Sequence, residues 1–158
     1  MENEKSDRRI LTSMRINEVS KLFRDIINRE VEKQGTANSY RQLLFHLSHR
    51  DGVNQLELVR VTHLKAPTVS VTLKGMERDG LVIRRQDEND ARVVRVYLTE
   101  KGRQADDRIR DIHHELDMRM AEGISAEELD ALVVTLTKMR DNMLGFYSDG
   151  AEKGADSK

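Results

Sequence analysis

None of the 158 residues is a cysteine. Disulfides, thiolate catalysis and cysteine redox sensing are thereby excluded. Aromatic residues make up only 4% and proline occurs once, at Pro67. With 35% of residues charged, that composition suits a helix-rich domain packed with aliphatic side chains. No apolar run approaches the ~18 residues a membrane-spanning helix needs, and no signal peptide opens the chain. A cytoplasmic protein is expected.

Catalytic signatures are missing as well. There is no glycine loop to cradle phosphate, no nucleophile elbow and no His-Glu-x-x-His pair. His113 and His114 are adjacent, and neighbours one apart on a helix point away from each other. His114 with Asp111 or Asp117 would supply two ligands at most. The expectation is therefore no enzyme, no metal centre and no cofactor.

What the chain does have is an uneven charge. The net of −1 combines a basic middle, residues 55–103 with 10 Lys and Arg against 7 Asp and Glu, with an acidic final third of 7 against 13. A basic middle points to an anionic partner there.

Periodicity predicts a helix from about Ser6 to Val31, with Ile16, Val19, Phe23 and Ile26 on one face. A second helix is expected from Ser39 as N-cap to near Asp51-Gly52, through Tyr40, Leu43, Leu44 and Leu47. A short third starts at Asn54 as N-cap, with Leu56, Val59 and Val61 inward. After a turn at Thr62–Lys65, "APTVSVTLKGMERDG" reads as a further helix. Pro67 fits its first turn, where a missing N–H costs nothing, and Val69, Leu73 and Met76 form its inward stripe. Gly80 ends it.

The stretch Leu81–Thr99 reads as two strands and a turn. From Thr99 a long helix carries Ala105, Ile109, Ile112, Leu116 and Met120 on one face and stops at Gly123. Ser125 and Glu128 have the capping-box spacing. The last helix places Leu129, Leu132, Leu136, Met139, Met143 and Phe146 at alternating spacings of about three and four, the form of a partner seam. Residues 148–158 have the composition of a disordered tail.

Two short helices, a tight turn and a following hairpin are the layout of a winged helix-turn-helix, in which the second helix reads the major groove. The outward residues of that helix are expected to be Thr68, Ser70, Val71, Lys74 and Arg78. Hydroxyls and a lysine suit base edges or phosphates, and small apolar groups suit thymine methyls. In the hairpin, Arg84, Arg85 and Arg95 are suited to phosphates, and an arginine in a narrow minor groove meets strong negative potential. The competing readings are a solvated amphipathic helix and a charged edge that resists aggregation.

The segment Gln55–Arg103 resembles the DNA-binding core of the MarR (multiple antibiotic resistance regulator) family. Gly80-Leu81-Val82, Asp87, Asp90, Arg92, Leu98-Thr99 and Lys101-Gly102 carry the resemblance. It implies that Arg92 is the wing-tip arginine that enters the minor groove, and that Asp90 holds the wing's arginine by a salt bridge. Two positions depart from the family pattern. Ala91 and Val71 stand where the family often has arginine, and both remove a cation.

The fold expected is mainly α with a small β-hairpin wing: a winged helix-turn-helix lobe at 38–99 and a helical dimerisation region from 1–37 plus 100–147. The function implied is a sequence-specific, dimeric DNA-binding transcription regulator, a repressor released by a small aromatic effector. Its partners would be a pseudo-palindromic operator, a second copy and that effector. The other reading is a helical dimeric protein-interaction module that does not bind DNA.

Overall fold

A computed structural model describes the backbone of residues 2–155 and the side chains of residues 9–146. The chain divides into two compact units, residues 1–116 and 117–158. Among the described residues no helix is long and apolar enough to cross a membrane.

The first unit begins with α1 (Glu2–Lys33). A 3-10 turn, Asn38–Tyr40, then leads into α2 (Arg41–His49). Ser39 is thus not an N-cap. It lies inside the 3-10 turn, and neither that turn nor α2 has a side-chain cap. Next come β1 (Val53–Asn54), α3 (Gln55–Thr62) and α4 (Ala66–Arg78). They are followed by β2 (Val82–Gln86), β3 (Val94–Leu98) and α5 (Glu100–Met120). The sheet has three strands, all antiparallel, in the order β1-β3-β2. The hairpin expected from sequence is therefore flanked by a two-residue strand too short to show as a pattern.

The local signals explain most boundaries. Asn54 caps α3 through a complete capping box: its side chain accepts from Glu57 N at 2.9 Å, and Glu57 accepts from Asn54 N at 2.8 Å. Two orphan donors are satisfied in one exchange. His63 closes α3 in the left-handed region, φ 55°, which histidine enters more readily than most residues. Gln42 Nε2 donates to the Thr62 carbonyl at 2.8 Å, which fixes that turn on α2. Thr99 caps α5: its hydroxyl accepts from Gly102 N at 3.0 Å and donates to the Gly80 carbonyl at 2.7 Å.

One core unites these elements. Ile27 and Val31 of α1, Leu43, Leu44 and Leu47 of α2, and Leu58 of α3 meet Val69, Leu73 and Met76 of α4 there. Val82, Val96, Leu98, Ala105 and Ile109 complete it. The inward stripe of α4 is as expected. That of α3 is not: Leu58 is buried, whereas Leu56 and Val61 are 58% and 50% exposed. On α1 the covered face is Phe23, Ile27 and Val31, while Ile16 and Val19 lie open to solvent. Met120 of α5, expected inward, is also exposed.

A polar cluster borders this core where α1, α2 and α5 approach. Arg41 donates to Asn28 Oδ1 at 2.9 Å and lies 3.3 Å from His113 Nε2, and the His113 ring tilts against Phe23. Burial lowers the Arg41 pKa.

The second unit is built on α6 (Ala126–Ala155). Ser125 and Glu128 make the expected reciprocal capping bonds at 2.9 and 3.2 Å. The stretch 148–158, expected as a tail, falls largely in the backbone of this helix. Residues 156–158 and all side chains from 147 onward lie outside the described residues.

Candidate nucleic-acid interface

The outward face of α4 is set by its inward one. With Val69, Thr72, Leu73 and Met76 buried, residues three and four apart on the other side are left for solvent. Thr68, Val71, Lys74 and Arg78 are exposed, Val71 by 70%, and Ser70 is half-buried. Thr68, Val71 and Lys74 thus form a short row with two hydrogen-bonding groups and one apolar group. Arg78, at the far end, is committed elsewhere. Its Nε donates to Asp79 Oδ1 at 2.9 Å.

Sequence reasoning passed over Lys65, which is exposed at the N-cap of α4 with no side-chain capping bond. A cation is disfavoured at the positive end of a helix dipole unless an anion joins it. The signal was its position directly before Ala66-Pro67.

The hairpin sorts its three strand arginines, Arg84, Arg85 and Arg95, by parity. Val82 pairs with Leu98, Arg84 with Val96 and Gln86 with Val94. Arg84 therefore shares the helix-facing side with Val82 and Val96. It is 26% exposed, and its Nε lies 3.1 Å from Glu77 Oε2 of α4. Nε and Nη2 are buried without an aligned hydrogen-bond acceptor, so the link to Glu77 is one of charge rather than a directed bond. Arg84, expected on phosphates, instead braces the wing against α4.

The other face carries Arg85 opposite Arg95, a like-charge cross-strand pair that is unfavourable by itself. Two neighbours offset it. The Arg85 guanidinium lies 5.7 Å from the centre of the Tyr97 ring. Arg95 pairs closely with Asp87 Oδ2 and donates to the Gly52 carbonyl at 2.8 Å. Arg95 thereby ties the wing to the loop before β1.

Among the described residues Asp90 makes no salt bridge to Arg92; the ion pair of the wing turn is a different one, Asp87 with Arg95. Asp90 Oδ1 accepts the backbone N–H of Arg92 at 2.9 Å. A short aspartate side chain reaches the amide two residues on more easily than a guanidinium that extends away from it. Asp90 orients Arg92 through the main chain. Asp87 Oδ1 accepts from Asn89 N and Asp90 N at 2.9 and 3.1 Å, which winds the tip. Arg92 is exposed at that tip, and among the described residues its side chain has no ion-pair or hydrogen-bond partner.

Three ionisations follow from this geometry. The Arg95 hydrogen bond, then the backbone bond from Asn89, hold Asp87 below its ordinary 3.8. A depressed carboxylate pKa contributes stability above the ordinary value, and that contribution is lost as pH falls toward the folded one. Asp87→Asn should therefore lower the urea midpoint at pH 7, and the gap to the unsubstituted chain should close as pH falls from 4 to 2. A gap of equal size across that window would remove Asp87 as the ionising group. At the end of α4, Asp79 is held low by Arg78 first and then by the Tyr40 hydroxyl. Tyr40 is raised by burial and by that same carboxylate.

A model described as "MarR family" matches residues 35–93, from the end of α1 through the wing tip. YdgJ of Bacillus subtilis (strain 168), an uncharacterized HTH-type transcriptional regulator, is 31% identical over 109 residues. The match takes in 69% of this chain and 66% of that relative, a little under two thirds of its length. A crystal structure of a MarR-family transcriptional regulator from Silicibacter pomeroyi is 31% identical, with 80% of this chain and 86% of that one covered and a TM-score of 0.60. A variant of S. aureus MepR bound to an oligodeoxyribonucleotide is 25% identical, covering 84% and 97%, with a TM-score of 0.64.

Proposed function

Since this chain belongs to the MarR family, we propose that it is a sequence-specific, dimeric DNA-binding transcription regulator that acts in the cytoplasm, reads DNA with α4 and anchors itself with the wing. The observation that carries this reading is the pairing of an open α4 face, Thr68, Val71 and Lys74, with the unpaired Arg92 at the tip. A groove-reading helix needs side chains uncommitted within the protein, and a phosphate or minor-groove anchor needs a cation not already neutralised. The relative solved with an oligodeoxyribonucleotide supports the same assignment.

A second copy is the proposed partner of the helices. Along α1, Ile10, Leu11, Met14 and Leu22 are each more than half exposed. On α6, Leu132 and Leu136 are 49% and 40% exposed, and Met143 and Phe146 are 72% and 83%. A soluble monomer rarely leaves such rows uncovered. A two-fold dimer would set two α4 helices about 34 Å apart, one helical turn of DNA. The reading extends to repression relieved by a small aromatic effector. An effector acts by favouring the dimer state whose helix spacing does not match the operator.

Sedimentation of the protein with a duplex carrying an inverted repeat tests this. Two chains per duplex are expected, with affinity falling steeply as salt rises, because each phosphate contact releases counterions. One chain per duplex, or affinity indifferent to salt, would remove the dimeric reader.

A further inference from the structure

The two ends of α4 are held in different ways. Its first turn has no side-chain cap and its outward residues there are exposed. At its last turn, Tyr40, 6% exposed, lies across Gly75 and donates from its hydroxyl to Asp79 Oδ2 at 2.8 Å. A β-carbon at Gly75 would stand 3.1 Å from Tyr40 Cζ and closer still to its oxygen, so ring and helix meet at the backbone. Lys101 Nζ donates to the Asp79 carbonyl at 2.8 Å.

Tyr40 is not part of the two-helix motif. It closes the 3-10 turn after α1, and that turn is bound to α1 by Asn38 Nδ2, which donates to the Asn28 carbonyl at 3.2 Å. The ring thus joins α1 to the end of the helix assigned to reading DNA. The apolar stripe under α4 resists separation more strongly than small tilts, because hydrophobic contact has no preferred direction. A hydrogen bond does have one.

Resting on the DNA-reading role of α4, we propose that Tyr40 is a positioning residue for operator recognition: seated on Gly75 and bonded to Asp79, it fixes the tilt of α4 and so its discrimination between DNA sequences, without touching DNA. The leverage is geometric. Thr68 lies 11 residues from Asp79, about 16 Å along a helix at about 1.5 Å per residue. A tilt of about 4° at the Asp79 end would move Thr68 by about 1 Å, enough to lengthen a base-edge hydrogen bond beyond its useful range. Phosphate contacts depend far less on such a shift, because charge attraction is long-ranged and undirected.

The test compares affinity for an operator duplex and for an unrelated duplex, with each protein's active fraction fixed by stoichiometric titration. Tyr40→Phe keeps the ring and removes the bond to Asp79. Operator affinity should fall about tenfold, the loss of about one base contact, with affinity for unrelated DNA and the salt slope unchanged. Gly75→Ala, which lifts the ring, should give the same loss, and the double variant no more than either alone. Equal losses on both duplexes, or a lower melting temperature with an unchanged affinity ratio, would make Tyr40 merely structural and overturn the inference. No sequence preference in the unsubstituted protein would instead overturn the DNA-reading assignment, and the inference with it.

Discussion

Replacing Arg92 with alanine should weaken operator binding and flatten its dependence on salt, and replacing Arg84 with methionine should do neither. Both are wing arginines eight residues apart, and charge counting treats them alike. Their surroundings do not. Arg84 is 26% exposed and faces Glu77, so its charge is spent inside the protein. Arg92 is exposed at the tip, oriented only by the Asp90 bond to its amide. Each phosphate neutralised contributes about 0.9 to the slope of log affinity against log salt. A dimer lays two wings on its operator, so Arg92→Ala should lower the slope by about two. Methionine at position 84 keeps an apolar stem beside Val96, and the Glu77 carboxylate it leaves behind is 45% exposed, so water solvates it and little stability is lost. Titrations at several salt concentrations would compare both variants with the parent. A lower slope for Arg84→Met would return that residue to the interface, and an unchanged slope for Arg92→Ala would remove the wing tip from it.

The second large effect is on folding. Gly102 is buried in the first turns of α5, where a β-carbon would run into the Leu81 carbonyl oxygen and stand 3.0 Å from Leu98 Cδ2. That carbonyl cannot swing aside, since it accepts the Thr99 amide at 3.0 Å. In an open helix, glycine to alanine gains about 1 kcal/mol. Here the sign should reverse. Overpacking typically costs 1–3 kcal/mol, so Gly102→Ala should lower the melting temperature by about 3–8 °C for a chain of this length. Gly145→Ala provides the contrast. Among the described residues, and apart from its own helix backbone and chain neighbours, nothing lies within 4 Å of the β-carbon it would add, and its melting temperature should not fall. Thermal melts at one protein concentration would decide, and an equal rise for both substitutions would contradict the close approach of α5 to Leu81.

How much of this was legible beforehand depends on how local each signal is. Capping is local, and Asn54, Thr99 and Ser125 cap as their spacing indicated. The face of α4 was legible because Val69, Leu73 and Met76 are its clearest period. In α3 the apolar residues at 56, 58, 59 and 61 fit more than one face of a two-turn helix, and packing chose Leu58. On α1 the face expected from periodicity is covered only toward its C-terminal end, at Phe23. Ile16 and Val19 are left open in the single chain.

The intramolecular partners of Arg84 and Arg95 went unread for a different reason. Arg84 has the parity of Val82, and that alternation was enough to turn it inward. Asp87 and Asp90 were harder to separate, because the Arg95 pair depends on the turn's winding rather than on sequence distance. Tyr40 and Gly75 stand 35 positions apart, and a close approach between ring and backbone leaves no periodic trace.

The central claim is that α4 and the wing of two chains read one DNA site. Selection of bound duplexes from a random pool tests it most directly. The expected result is a single inverted repeat with half-site centres about 10–10.5 base pairs apart or a multiple of that, lost from the Arg92→Ala pool and kept in the Arg84→Met pool. A pool with no enriched repeat, recovered from protein that is folded and dimeric, would contradict it.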